Sequence, residues 1–124
     1  MRSALQQAIY DVLQPALSVP VYDDVPQKTP LPYVVIGEGA IQSFDTDDSS
    51  GAEASVEIHI WTSYAGRKQG KDIADSINAV LHEASLNVPG YSLAVALWDS
   101  TENLEEGDGV TREIIETYRV LMQE

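Results

Sequence analysis

The residues that could do chemistry in this chain are few and scattered. His59 and His82 fall on different stretches, so each reads as a surface or half-buried histidine and not as half of a catalytic pair. Asp45, Asp47 and Asp48 crowd one polar segment and resemble the start of a calcium loop. The glycine and the bidentate glutamate that such a loop needs are absent from the required offsets, so weak cation condensation is expected there and no metal site. A carboxylate-based hydrolase could be built only from Asp45, Asp47 or Glu57, and it stands as a remote alternative. No phosphate-cradling glycine loop, dinucleotide fingerprint, nucleophile elbow or zinc-helix motif occurs. The chain has no cysteine, which excludes disulfides and thiolate metal sites. No enzyme activity and no cofactor are expected.

What remains is contact chemistry. Arg67, Lys68 and Lys71 form a basic cluster. It serves either helix solubility or as counter-charge to an acidic neighbour, for instance another copy of the chain. Trp61, on the polar side of an alternating stretch, is an interface candidate, because aromatics and arginine are enriched in interface cores. The other reading is that a helix covers it. Phe44, alone among acidic residues, is a local packing anchor or a partner contact. Tyr64 joins these candidates from the turn after Trp61.

Composition narrows the partners. Seven Lys and Arg against 20 Asp and Glu leave a formal charge of -13. Phosphate binding needs concentrated cations, so neither specific nucleic-acid binding nor docking on an anionic membrane is expected. No apolar run is long enough to span a bilayer, and no signal-peptide core follows Met1. The protein is expected to be made and used in the cytoplasm. At 124 residues and 44% hydrophobic, one domain covering 1–124 is expected, with room for a real core.

The elements that must position these groups are organised around 54–86. Val56, Ile58 and Ile60 alternate with Glu57, His59 and Trp61, which is the period of a strand with one aliphatic face. Residues 62–66 break the pattern, with Ser63 as the expected helix N-cap. From Arg67 the period becomes helical, and Ile73, Ile77, Val80, Leu81 and Ala84 share a stripe.

Upstream, Ser3 and Gln6 read as a capping box for a helix carrying Leu5, Ala8, Ile9, Val12 and Leu13. Pro15 is expected to end it near Gln14. Residues 18–22 read as an edge strand, and the prolines at 26, 30 and 32 make a stiff connector. Residues 33–36, a run without alternation, suit a central strand covered on both faces. The polar stretch 42–53 reads as a long mobile loop. After a turn at 87–90, residues 91–98 alternate, 99–109 reads as a second acidic loop with an Asp108-Gly109 turn, and 110–122 is a long strand. On that strand Ile114, Glu116, Tyr118 and Val120 share one side. The expected order is α-β-β-β-α-β-β: an α+β domain with one largely antiparallel sheet and two main helices packed on it.

This order resembles the small tail-completion, or tail terminator, proteins of long-tailed phages and prophages. Four stretches carry the resemblance: the helix at 4–13 running into Val21-Tyr22-Asp23-Asp24-Val25-Pro26; Pro32-Tyr33-Val34-Val35-Ile36-Gly37; Val56-Glu57-Ile58-His59-Ile60-Trp61 with Gly66 and the helix at 73–81; and Asp108-Gly109-Val110-Thr111. The resemblance implies a structural virion protein of the tail. It implies a ring, usually a hexamer, that caps the head-proximal end of the tail tube and stops polymerisation. It also implies a surface that joins the head, so the tube protein and a head–tail connector are the expected partners. Beside the resemblance, Asp45, Asp47 and Asp48 are placed as channel-facing acidic candidates, because an acidic lining repels passing DNA. A neck or head-closure protein of the same particle, or an acidic adaptor domain, are the alternatives.

Overall fold

The computed structural model describes residues 3–43, 45, 50–63, 67–105, 107 and 110–124. They form helix α1 (Ala4–Ala16), strands β1 (Val21–Tyr22), β2 (Tyr33–Ser43) and β3 (Gly51–Ser63), helix α2 (Arg67–Leu81), and strands β4 (Leu93–Glu105) and β5 (Thr111–Gln123). This is the expected α+β order. The strands make one sheet in the order β1-β2-β3-β5-β4. Every pairing is antiparallel except β1 with β2.

Alternation along β3 puts Ala52, Ala54, Val56, Ile58, Ile60 and Thr62 on a buried face, and β5 matches it with Glu116, Tyr118, Val120 and Met122. Both helices cover that face. α1 buries Leu5, Ala8, Ile9 and Leu13, and α2 buries Gly70, Ile73, Ala74, Ile77 and Leu81. A fully buried side chain such as Ile77 or Leu13 contributes about 1.5–3 kcal/mol. The opposite face, which holds Tyr33, Val35, His59, Trp61, Ile115 and Leu121, stays half-exposed and carries no helix among the described residues.

The capping box is present: Ser3 Oγ accepts from the Gln6 amide at 3.1 Å, and Gln6 Oε1 accepts from the Ser3 amide at 3.3 Å. Several boundaries differ from expectation. α1 continues through Pro15 to Ala16, because a proline in the last turn forfeits a single amide bond while Leu17 beyond it is buried and its amide still reaches the Leu13 carbonyl. Ser63 is the last residue of β3, and the turn that was expected to use it as a cap lies outside the described residues. α2 stops at Leu81, since Glu83 adopts φ 63, so Ala84 is not on the helical stripe. Gly70 and Ala74 line its contact face instead.

Both expected loops are shorter than the sequence suggests, because strands extend into them. β2 reaches Ser43 and β3 starts at Gly51, and β4 runs through the acidic residues to Glu105. In both places the polar residues pair in register with a well-anchored neighbour: Gln42 with Glu53, and Glu102 with Ile115. Cross-strand pairing decides such segments, whatever their hydrophilicity. Among the described residues no helix is long and apolar enough to cross a membrane.

Candidate functional site

The alternating pattern that buries Ile58 and Ile60 forces His59 and Trp61 onto the open face. Trp61 is half-buried there, level with Tyr33 on β2 and Glu113 on β5. Its ring is not packed into the core, so the reading in which a helix covers it does not hold. Beside it, His59 Nδ1 lies 2.6 Å from Glu113 Oε2, and His59 Nε2 lies 3.2 Å from Glu57 Oε1. Glu113 is only 7% exposed although no helix lies over it, because the side chains of the neighbouring strands close around it.

On the helix-covered face, α2 spans β3 and β5 but leaves the outer half of β4 uncovered. A cleft of about 730 Å³ opens there, lined by Thr62, Arg67, Lys71, Glu105, Arg112 and Glu116, among others. Glu116 is 4% exposed, and its Oε2 accepts from Trp98 Nε1 at 2.9 Å and from Thr101 Oγ1 at 2.7 Å. These donors satisfy an oxygen that burial would otherwise leave unpaired. Tyr118, fully buried next along that side of β5, donates from its hydroxyl to Asn78 Oδ1 at 2.9 Å. Burial, and then the Glu116 carboxylate, raise the Tyr118 phenol well above the ordinary tyrosine range.

The basic cluster lies at the same end of the sheet. Arg67 and Arg112 converge on Glu105 Oε1, at 3.4 and 2.7 Å. Lys68 donates to Asp72 at 2.9 Å, and this hydrogen bond and charge raise its ammonium above the usual lysine value. Exposed pairs of this kind contribute little to stability. Lys71, also exposed, makes no ion pair among the described residues. Asp45 is exposed at the opposite end, where one of its carboxylate oxygens accepts from the Gly51 amide at 3.3 Å. The structure therefore brings Trp61, Arg67, Lys68 and Lys71 to one end of the sheet, on two different faces, and leaves Asp45 at the other. Phe44, Tyr64, Asp47 and Asp48 lie outside the described residues.

Sequence reasoning passed over Glu113, Trp98 and the role of Glu116. The signal for Glu116 was its place in the apolar register of β5, where a carboxylate needs buried donors. Among the described residues no group of three or more His, Asp or Glu is placed to hold a metal ion. The two buried carboxylates are each held by a specific donor set, which is how polar groups stiffen a core.

Residues 4–123, nearly the whole of the fold just described, match the family described as Tail completion protein gp17. This chain belongs to that family. It is 27% identical over 106 residues to the tail completion protein gp17 of Bacillus phage SPP1, covering 86% of this chain and 75% of that protein. Its fold is similar to that of a chain in the virion of a native gene transfer agent particle, with a TM-score of 0.75 at 22% identity, covering 98% of this chain and 92% of that one.

Proposed function

We propose that this chain is a structural protein of a phage or prophage virion that closes the head-proximal end of the tail tube as a hexameric ring. The ring ends tube polymerisation and offers the surface on which the head is joined. Its partners are further copies of itself, the tail tube protein and a head–tail connector. The protein acts by contact and carries out no reaction.

The observation that carries this reading is the family match over residues 4–123, which spans both helices and all five strands. The physics of the site supports it. Its buried carboxylates are tied to Trp98, Thr101 and His59, and its exposed groups are an indole and cations at one end of the sheet. Trp61, Arg67, Lys68 and Lys71 are the proposed contact residues for the ring or the tube end. A small domain that offers different surfaces to its two neighbours suits heterologous, ring-closing contacts.

Electron microscopy of particles assembled without this protein tests the proposal. Overlong or headless tails are expected. Tails of normal length beside leaking heads would overturn the tube-capping role and favour head closure.

A further inference from the structure

The cleft beside α2 has a floor built in rows across three strands. In the first row Thr62 of β3 is level with Arg112 of β5 and Glu105 of β4. The second row holds Ile60, Ile114 and Asn103, and the third holds Ile58, Glu116 and Thr101. The first row lies at the end of the sheet, where Arg112 and Arg67 both reach Glu105. The second is mainly apolar. Ile114 is half-buried there, and Ala74 of α2 lines the same cleft. The third row brings the buried Glu116 carboxylate into the wall. A charged end row, an apolar strip and a buried anion thus follow one another along β5.

Two polar side chains in this wall are buried and incompletely paired. Both donors to Glu116, Trp98 Nε1 and Thr101 Oγ1, reach the same oxygen, Oε2. Its Oε1 has no donor among the described residues, although Glu116 is only 4% exposed. Thr62 is 2% exposed, and its hydroxyl has no hydrogen-bond partner among the described residues. A carboxylate offers about four lone-pair sites. A buried one is costly without a counter-charge, and both donors that Glu116 has are neutral. The nearby cations are used elsewhere. Arg67 and Arg112 are held by Glu105, and Lys71, exposed on α2, makes no ion pair with Glu116.

We infer that the cleft receives a lysine or arginine side chain from a different protein, with its stem on Ile114 and Ala74 and its charge on Glu116 Oε1. The inference goes beyond the ring reading and holds for a monomer as well as for a ring. Charge selects this occupant, because the free acceptor is a carboxylate. Shape selects it too. Lysine and arginine lay their stems along apolar surface and carry the charge at the tip. The step from the Ile114 row to the Glu116 row is ~7 Å, two residues of strand, which an extended stem of this kind spans. The volume of about 730 Å³ leaves room for the segment that bears the side chain, and the Thr62 hydroxyl is left to that segment's backbone. A second copy has little to bring. Arg67, Lys68, Arg112 and Arg119 are paired within their own chain, and Lys71 lines the cleft itself, so Lys28 alone remains among the described residues.

The indole N–H of Trp98 is the reporter, because it shares the Glu116 carboxylate with the incoming charge. The chain has two tryptophans, so isotope-labelled protein gives two indole signals by NMR, assigned with Trp61→Phe. The probes are capped Gly-Arg-Gly and Gly-Lys-Gly peptides, with Gly-norleucine-Gly as the uncharged control. A saturable shift of the Trp98 signal is expected with a cationic peptide and not with the norleucine peptide, while the Trp61 signal stays in place. Glu116→Gln keeps the size and an acceptor for Trp98 but removes the charge. It should melt cooperatively and lose the shift. Asn103→Phe, at an exposed position on the cleft floor, should block the cleft and lose the shift as well, which keeps the test decisive if Glu116→Gln does not fold. A Trp98 signal unmoved by both cationic peptides, or a shift that survives in either folded variant, would overturn the inference. A changed oligomeric state of folded Glu116→Gln in sedimentation would overturn it too, because it would put a second copy in the cleft.

Discussion

Gly70 decides how closely α2 sits on the sheet. It is buried in the first turn of the helix, and a Cβ built on it would stand 3.0 Å from Ile114 Cδ1 and 3.6 Å from Thr62 Cγ2 and Oγ1. Gly70→Ala therefore sets two effects against each other. Alanine is favoured over glycine in a helix interior by about 1 kcal/mol. The contact with Ile114 is too short, but the atom that must yield is the end of a flexible, half-exposed side chain beside the cleft. A small displacement of that methyl relieves it, so the two effects nearly cancel and stability should stay within about 0.5 kcal/mol of wild type. Gly70→Val differs. Its γ-carbons project toward Thr62, which is 2% exposed and held in β3, and overpacking of this kind costs ~1–3 kcal/mol. Urea unfolding followed by circular dichroism reads both variants, with the midpoint compared at constant slope. A Gly70→Val midpoint equal to wild type would refute the reasoning, because it would mean that the start of α2 does not rest on β3 and β5.

Further outcomes follow from other positions. Ile77→Asp places a charge at a site with 0% exposure and should abolish the cooperative thermal transition; an unchanged melting temperature would show that another face of α2 meets the core. Tyr118→Phe removes the bond to Asn78, whose amide is free to take up water, and should cost about 0.5–1.5 kcal/mol in urea unfolding. Because the fold raises the Tyr118 phenol, the stability it contributes is intact below the ordinary tyrosine range and is lost as pH rises from that range through the phenol's own raised value; the Tyr118→Phe variant should therefore lose less stability between neutral and strongly alkaline pH. Trp61→Ala should leave the monomer's melting curve nearly unchanged and weaken ring formation or tail capping in sedimentation and infection assays; loss of the fold itself would place Trp61 in the core.

Strong periodicity carried over to the structure. The alternation of Val56, Ile58 and Ile60 and the spacing of Ile73, Ile77 and Leu81 are set by burial on one face, and that constraint is local to each element. Element ends behaved differently. Ser43, Gly51 and residues 99–105 are strand because partners distant in sequence supply their hydrogen bonds, and nothing in a stretch such as Ser-Thr-Glu-Asn announces those partners. The candidate site divides the same way. Trp61 was legible from its place opposite the aliphatic face. Glu113 was not, because its partner, His59, comes from another strand. The cleft could not be read at all, since its wall is assembled from β3, α2, β4 and β5 together.

The position of β5 bears on how the protein is made. β5 follows β3 and β4 in sequence yet lies between them in the sheet. A ribosome delivers β3, α2 and β4 before the strand that joins them exists, at ~5–20 residues per second. Until β5 emerges, β3 has one unsatisfied side along all 13 of its residues, and β4 has only the short segment 82–86 for company. The nascent chain thus holds a long apolar strand without its neighbour, and a second nascent chain from the same message offers the same edge. Yield in the host should therefore depend on how quickly β5 clears the exit tunnel. Rare codons within 106–123 should lower soluble protein, whereas the same codons before Gly51, where that strand has not yet been made, should have little effect.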